Sequence, residues 1–250
     1  MGIRRDFHIP LFISDKEERI FLFGKKMRYT VRTMSDFYRF LFQIIILIFS
    51  VMIHEVAHGA VALAYGDDTA KRDNRLNLNP INHIDPFGSI ILPLILAIPA
   101  LFGIQPIIIG WAKPVPVDMQ KVKAKDIRKA SAVISFAGPL SNLIIAFIFV
   151  GALTFTLSSP LSAPINQTFI GIAVINIILA VFNLIPIPPL DGSKILAYLL
   201  PHSFRGFETT LERFSLPLLL ALILFGDGLL RFLLGSILKL FFWIFQLPLG

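Results

Sequence analysis

The stretch "IHEVAH", residues 53–58, holds two histidines four positions apart, with a glutamate directly after the first. A four-residue step turns an α-helix by only about 40° beyond a full turn, so His54 and His58 project from one face and can share a metal ion. Glu55 lies about 100° further round and can reach a water beside the metal without being a ligand. Two other uses fit the same residues: a pair of hydrogen-bonded core histidines near a helix end, or a proton relay. A catalytic zinc takes three protein ligands and keeps one position open. Candidates for the third are His83 and Asp85 in "NPINHIDPFG" and Asp191 in "NLIPIPPLDGSKIL". His83 reads more readily as a loop hydrogen-bonding residue. Asp191 is the sharper choice, because its proline-broken backbone can bend toward a neighbouring helix and an unpaired carboxylate at the end of an apolar run is expensive. A purely structural use for Asp191 also exists, as N-cap of a helix starting at Gly192.

These residues need elements to hold them, and composition sets the solvent those elements meet. The 250 residues are 55% hydrophobic and only 16% charged, with a mean hydropathy of +0.75. A soluble domain carries nearer a quarter charged residues, so the chain belongs in a lipid bilayer. Apolar runs at 38–53, 88–110, 131–157, 168–190 and 216–247 reach or approach the roughly 20 residues that a spanning helix needs. Residues 1–36 lack a compact apolar stretch ending in a small-residue cleavage site, so the first apolar run is expected to be retained. With no cysteine there are no disulfides or thiolate ligands. The net charge of +7 lies in loops between apolar runs, which suits anionic lipid headgroups and not nucleic acid.

The expected fold class is an all-α integral membrane protein, a polytopic helical bundle with a Pro-broken re-entrant segment and short β-like pieces. A basic arm, 1–36, with β-like "RIFLF" and "MRYTVRT", precedes a single membrane-embedded domain, 37–250. The spacing predicts a helix from about Asp36 to Tyr65, stopping at Gly66. Pro93, Pro99 and Pro106 argue against one straight span over 88–110. Helices follow at about 131–157 and 168–185, then a short polar helix near 204–214 and an apolar hairpin turning at "FGDG".

In this order and spacing, "HEVAHGAVALAYGDDTAKRDNRLNLNPINHIDPFGSIILPL", "GWAKPVPV", "AGPLSN" and "FNLIPIPPLDG" resemble the site-2 protease family of intramembrane zinc metalloproteases, in a compact form without an inserted PDZ or CBS domain. The likeness spans about residues 45–200. It implies one zinc per chain held by His54, His58 and Asp191, with Glu55 taking a proton from water and returning it to the leaving amine. It places Asn142, in Gly138-Pro139-x-Ser141-Asn142, near the metal, where it could hold substrate or oxyanion; as a polar helix-packing residue it has an equally good structural use. The implied substrate is a single-span membrane protein cut within or near its transmembrane segment, in regulated intramembrane proteolysis. A strand-like edge in loop 67–87 is one way to pair with an unwound substrate.

For one metal to bind His58 and Asp191, the C-terminal ends of their apolar runs must face the same side, so the segment 88–110 must return to the side it left. Loops 67–87, 106–129 and 187–215 then share that side with 12 Lys and Arg, against nine in the arm up to Arg39 and none in 158–167. That balance favours a cytoplasmic active site, in a bacterial-type cell membrane. The competing function is a metal-binding membrane transporter or catalytically silent scaffold using the same three residues. Glu55 tells them apart, because a transporter has no special need for a carboxylate beside the first ligand.

Overall fold

The computed structural model of the chain describes residues 21–22, 25–26, 34–83, 85–91, 95, 98, 113–156 and 163–247. Most of the basic arm therefore lies outside the described residues. Within it, β1 (Phe21–Leu22) pairs antiparallel with β2 (Lys25–Lys26). The first falls inside "RIFLF"; "MRYTVRT" is outside the described residues.

Helix α1 (Met34–Ala64) runs for 31 residues with no proline and a single glycine, Gly59. Its end is a Schellman turn. Gly66 adopts φ +96, the Asp67 amide donates back to the Ala62 carbonyl and the Gly66 amide to Leu63, which satisfies carbonyls the helix has left open. The i+4 row Ser50, His54, His58 and Ala62 is buried, while Ile45, Ile48 and Phe49 are exposed. The polar groups thus face protein and the exposed apolar face suits lipid.

Loop 67–83 departs from expectation. It carries two single-turn helices, α2 (Thr69–Arg72) and α3 (Pro80–His83), and no extended edge among its described residues. Asparagine side chains cap the backbone locally, as in Asn77 Oδ1 accepting from the Asn79 amide and Asn79 Oδ1 from the Ile81 amide, and such bonds favour turns over strand. A π-helical turn follows at Pro86–Ile91. The rest of the expected re-entrant segment up to Ala112, apart from Ile95 and Ile98, lies outside the described residues. Its flanks do not: the Lys113 amide donates to the His83 carbonyl at 2.9 Å, so the chain comes back to the place it left.

Two long helices complete the centre, α4 (Ile127–Thr156) and α5 (Ala163–Leu184). Together with Phe42–Ala64 they are three segments long and apolar enough to cross a membrane. Helix α4 sits between α1 and α5 and buries Ala132, Ala137, Gly138, Ala146 and Gly151. Small residues let backbones approach closely where lipid removes the hydrophobic drive for helix pairing. Beyond the proline run come α6 (Asp191–Leu199), α7 (Arg205–Arg213), α8 (Ser215–Phe225) and α9 (Asp227–Ile244). The apolar hairpin turns at Gly226, as its sequence suggests. With 11 residues, α8 is about 16 Å long and falls short of a bilayer core of about 30 Å. Leu234, Leu238, Phe241 and Phe242 of α9 join Val150, Leu153, Ala173 and Ile177 in the main apolar cluster.

One end of this bundle collects the loops. The Lys123 amide donates to the Tyr65 carbonyl beyond α1, and Arg128 Nη2 on α4 donates to the Leu200 carbonyl beyond α6. The C-terminal end of α1, the N-terminal end of α4 and the chain after α5 therefore meet at one side, as a shared metal requires.

Candidate metal centre

Ser50, His54 and His58 form one i+4 row, which presents both imidazoles to α4. Their Nε2 atoms are 3.1 Å apart, and the rings meet edge to face. Asp191 Oδ2 lies 3.1 Å from His54 Nε2 and 3.3 Å from His58 Nε2. Among the described residues this is the group whose ligand atoms all fall within 4.8 Å of one another. The proline run brings Asp191 there. Gly192 packs so closely against the Leu184 and Ile185 carbonyls that a Cβ would collide with them, and the chain reverses sharply enough to aim the preceding carboxylate at α1. The N-cap alternative is not what the fold uses: the cap position is Leu190, with no side-chain capping bond. His83, the last residue of the single-turn helix α3, is used in local hydrogen bonding, with Nε2 against the Asn77 carbonyl at 2.9 Å. Asp85 Oδ1 accepts from the Gly88 amide.

The second nitrogen of each histidine decides what the first can do. His54 Nδ1 lies 2.6 Å from Asn142 Oδ1 and His58 Nδ1 lies 2.7 Å from the Ile134 carbonyl. Both partners are acceptors, so each neutral ring carries its proton on Nδ1 and turns a lone pair inward at Nε2. Pro139 sits inside α4; it has no N–H for the carbonyl four residues back and opens that turn, beside which the Ile134 carbonyl meets His58. Asp191 Oδ2 is buried with no hydrogen-bond donor. Three electron-rich atoms thus converge with nothing to separate them, an arrangement that repels itself unless a cation sits between. Two ligands about 2.0–2.1 Å from a tetrahedral zinc lie about 3.3–3.4 Å apart, within a few tenths of an ångström of the separations here. Gly138 supplies the floor of the cradle. A Cβ there would lie 2.5 Å from His58 Nε2 and 2.6 Å from His54 Nε2. The residues fit zinc.

Glu55 faces a different partner. In Lys113-Pro114-Val115-Pro116 the prolines have no N–H, so Val115 is the one donor of the Pro-Val-Pro stretch, and its amide donates to Glu55 Oε2 at 2.8 Å. Arg75 Nη2 donates to the Lys113 and Pro114 carbonyls. Asp67 anchors the far end: its Oδ2 accepts from the Asp118 amide, while its Oδ1 accepts from the Thr69 amide and hydroxyl. Burial alone would raise the pKa of Asp67, but the hydrogen bond from the Thr69 hydroxyl, those from the Asp118 and Thr69 amides and the charge of Lys121 hold it below the usual carboxylate range. Gly59 lets this strap cross α1, since a Cβ there would strike Leu76 and Val115.

Of the residues singled out from sequence, His54, His58 and Asp191 come together, and Glu55 stands beside them under the Val115 amide. Asn142 also reaches the site, from behind His54. It is fully buried, its Oδ1 faces His54, and its Nδ2 donates to Asn176 Oδ1 and the Ser50 carbonyl. With both ends of the amide engaged by protein, this geometry supports holding a histidine and not a substrate or oxyanion. Ser141 bonds back to the Gly138 carbonyl of its own helix. Sequence reading passed over Ser50, Asp67, Val115 and Asn176. Asn176 carried a signal, since an amide in the middle of an apolar run is costly without a partner.

The profile of Peptidase family M50 matches residues 158–226, which include Asp191. "Putative zinc metalloprotease YwhC" of Bacillus subtilis is 40% identical over 215 residues, covering 81% of this chain and 92% of that protein. "Putative zinc metalloprotease Rip2" of Mycolicibacterium smegmatis is 30% identical over 163 residues, 65% of this chain and 59% of that protein. Its namesake in Mycobacterium tuberculosis H37Rv is 29% identical, over 79% of this chain and 70% of its own length. No solved structure matches the chain.

Proposed function

The chain belongs to peptidase family M50, the site-2 protease family of zinc metalloproteases, and from that premise we propose that it hydrolyses a peptide bond within or near the transmembrane segment of a single-span membrane protein, in regulated intramembrane proteolysis. The observation that carries this reading is the convergence of His54 Nε2, His58 Nε2 and Asp191 Oδ2 over Gly138, with both histidines and Gly138 on helices long and apolar enough for a bilayer. Zinc, when bound, polarises the scissile carbonyl and makes water acidic enough to attack near neutral pH. The chain's own residues do the rest. Asn142 and the Ile134 carbonyl hold the proton on each Nδ1, keeping both Nε2 lone pairs turned inward. Glu55, held at Oε2 by the Val115 amide, accepts a proton from the attacking water and delivers it to the leaving amine nitrogen. A helical substrate has its peptide groups hydrogen-bonded, so the segment to be cut must unwind first. Polar loops at one end of the bundle would line the path for water, since irregular backbone at membrane depth is stable only beside protein or a cavity.

Detergent-purified protein with one zinc per chain is expected to cut a member of a panel of single-span membrane proteins; chelation should stop cleavage and added zinc restore it. Cleavage that survives complete removal of metal would reject the mechanism.

We further propose that the loop-bearing end faces the cytoplasm of a bacterial-type cell membrane, on the strength of its 12 Lys and Arg. In sealed vesicles, Asp73→Cys and Lys123→Cys should label from the cytoplasmic face and Ser162→Cys from the other. Labelling of the first two from the outer face would reverse the orientation, and labelling from opposite faces would break the single-site arrangement.

A further inference from the structure

Behind His54, on the side away from the zinc cradle, a second set of polar groups is shut away at the junction of α1, α4 and α5. Asn142 and Asn176 are 0% exposed and Ser50 is 4% exposed. Asn142 Nδ2 donates to Asn176 Oδ1 at 2.9 Å and to the Ser50 carbonyl at 3.3 Å. Asn176 Nδ2 donates in turn to Ser50 Oγ and to the Ile172 carbonyl, each at 2.9 Å. The mechanism above gives Asn176 no task, yet burying a primary amide among apolar helices is costly unless its groups are paired.

An asparagine amide has two unlike ends that a half-turn exchanges. Were Asn142 reversed, its Nδ2 would meet His54 Nδ1, which could then only accept. The imidazole proton would move to Nε2, pointing into the cradle in place of a ligand lone pair. Something must forbid that half-turn. The Ser50 carbonyl opposes it at 3.3 Å, and Asn176 does so at the shorter 2.9 Å by offering an oxygen to the far end of Asn142; Asn176 is itself fixed because its Nδ2 is spent on the Ile172 carbonyl, a backbone acceptor that cannot be reversed. We propose that Asn176 is a positioning residue: it carries the polarity of the Ile172 carbonyl through Asn142 to His54, and so selects the tautomer of His54 that can bind zinc.

This inference rests on the zinc reading of the site, and wild-type zinc content tests that reading separately. The experiment compares zinc dissociation constants and cobalt(II) absorption spectra of the purified full chain. Asn176→Leu is expected to weaken zinc binding by about 10 to 100-fold, the range typical for losing support behind a ligand, and to change the cobalt spectrum. Asn176→Asp, buried as the neutral acid with its hydroxyl donating to the Ile172 carbonyl, keeps the acceptor that Asn142 needs and should bind zinc within about threefold of wild type. The decisive variant is the double substitution Asn142→Asp with Asn176→Leu. A carboxylate accepts from His54 whichever way it is turned, so it has no need of Asn176, and zinc affinity should recover toward wild type; a residue that merely packs would give no such rescue. Wild type binding no zinc would sink the zinc reading itself. Wild type binding zinc while Asn176→Leu binds it equally well, or while the double variant fails to recover, would overturn the role of Asn176 alone. Should Asn176→Leu fail to fold, Asn176→Asp remains decisive, because a loss there would show that the acceptor is not what the residue supplies.

Discussion

Gly138→Ala should purify as a folded protein and bind almost no zinc, with cleavage lost in proportion. A Cβ at this position lies 2.5–2.6 Å from the Nε2 atoms of both histidines, in the volume where their lone pairs converge with Asp191. A methyl group there must push one imidazole aside. His54 and His58 cannot yield easily, since their Nδ1 atoms are hydrogen-bonded at 2.6 and 2.7 Å. The same substitution favours the helix by roughly 0.5–1 kcal/mol, so a loss of metal is not a loss of α4. Zinc content is read by elemental analysis and helicity by circular dichroism. Full zinc occupancy with normal helicity would show that the cradle is not where the metal binds.

Glu55→Gln should give the opposite pattern, with one zinc retained and cleavage reduced by a factor on the order of 10² to 10⁴, the usual contribution of a positioned acid–base group. Glutamine still offers an oxygen to the Val115 amide, so the strap over α1 is expected to stay in place. What disappears is the capacity to take a proton from water and pass it to the leaving nitrogen. This variant also separates the two function classes raised by the sequence. A transporter or silent scaffold using His54, His58 and Asp191 would be indifferent to the change. Cleavage at the wild-type rate by metal-loaded Glu55→Gln would remove Glu55 from the chemistry.

Much of the site was legible because its parts lie close along the chain. The four-residue spacing of His54 and His58 fixes them on one helical face whatever the helix packs against. Gly66 marked the end of α1, the glycine pair around Asp227 marked the hairpin, and the prolines before Asp191 marked a break, since each residue type restricts φ or removes a hydrogen bond locally. The three helices long and apolar enough to cross a membrane followed from unbroken apolar runs in the sequence. Loop 67–83 was misread in part because asparagine-rich segments satisfy their backbone locally, which leaves no periodic signal.

The sequence by itself determined the solvent, the long helices and the paired histidines with their glutamate. Sequence also favoured Asp191 as the third partner; tertiary structure alone decided that its Oδ2 meets both Nε2 atoms, that Gly138 must have no side chain, that the Val115 amide serves Glu55, and that Asn142 turns its oxygen to His54 and its nitrogen to Asn176. Each of these joins residues 34 to 137 positions apart. Helical periodicity constrains neighbours within a few turns; which atoms meet across such separations is set by how closely small-residue faces let α1, α4 and α5 approach, and by the requirement that every polar group sealed between them find a partner.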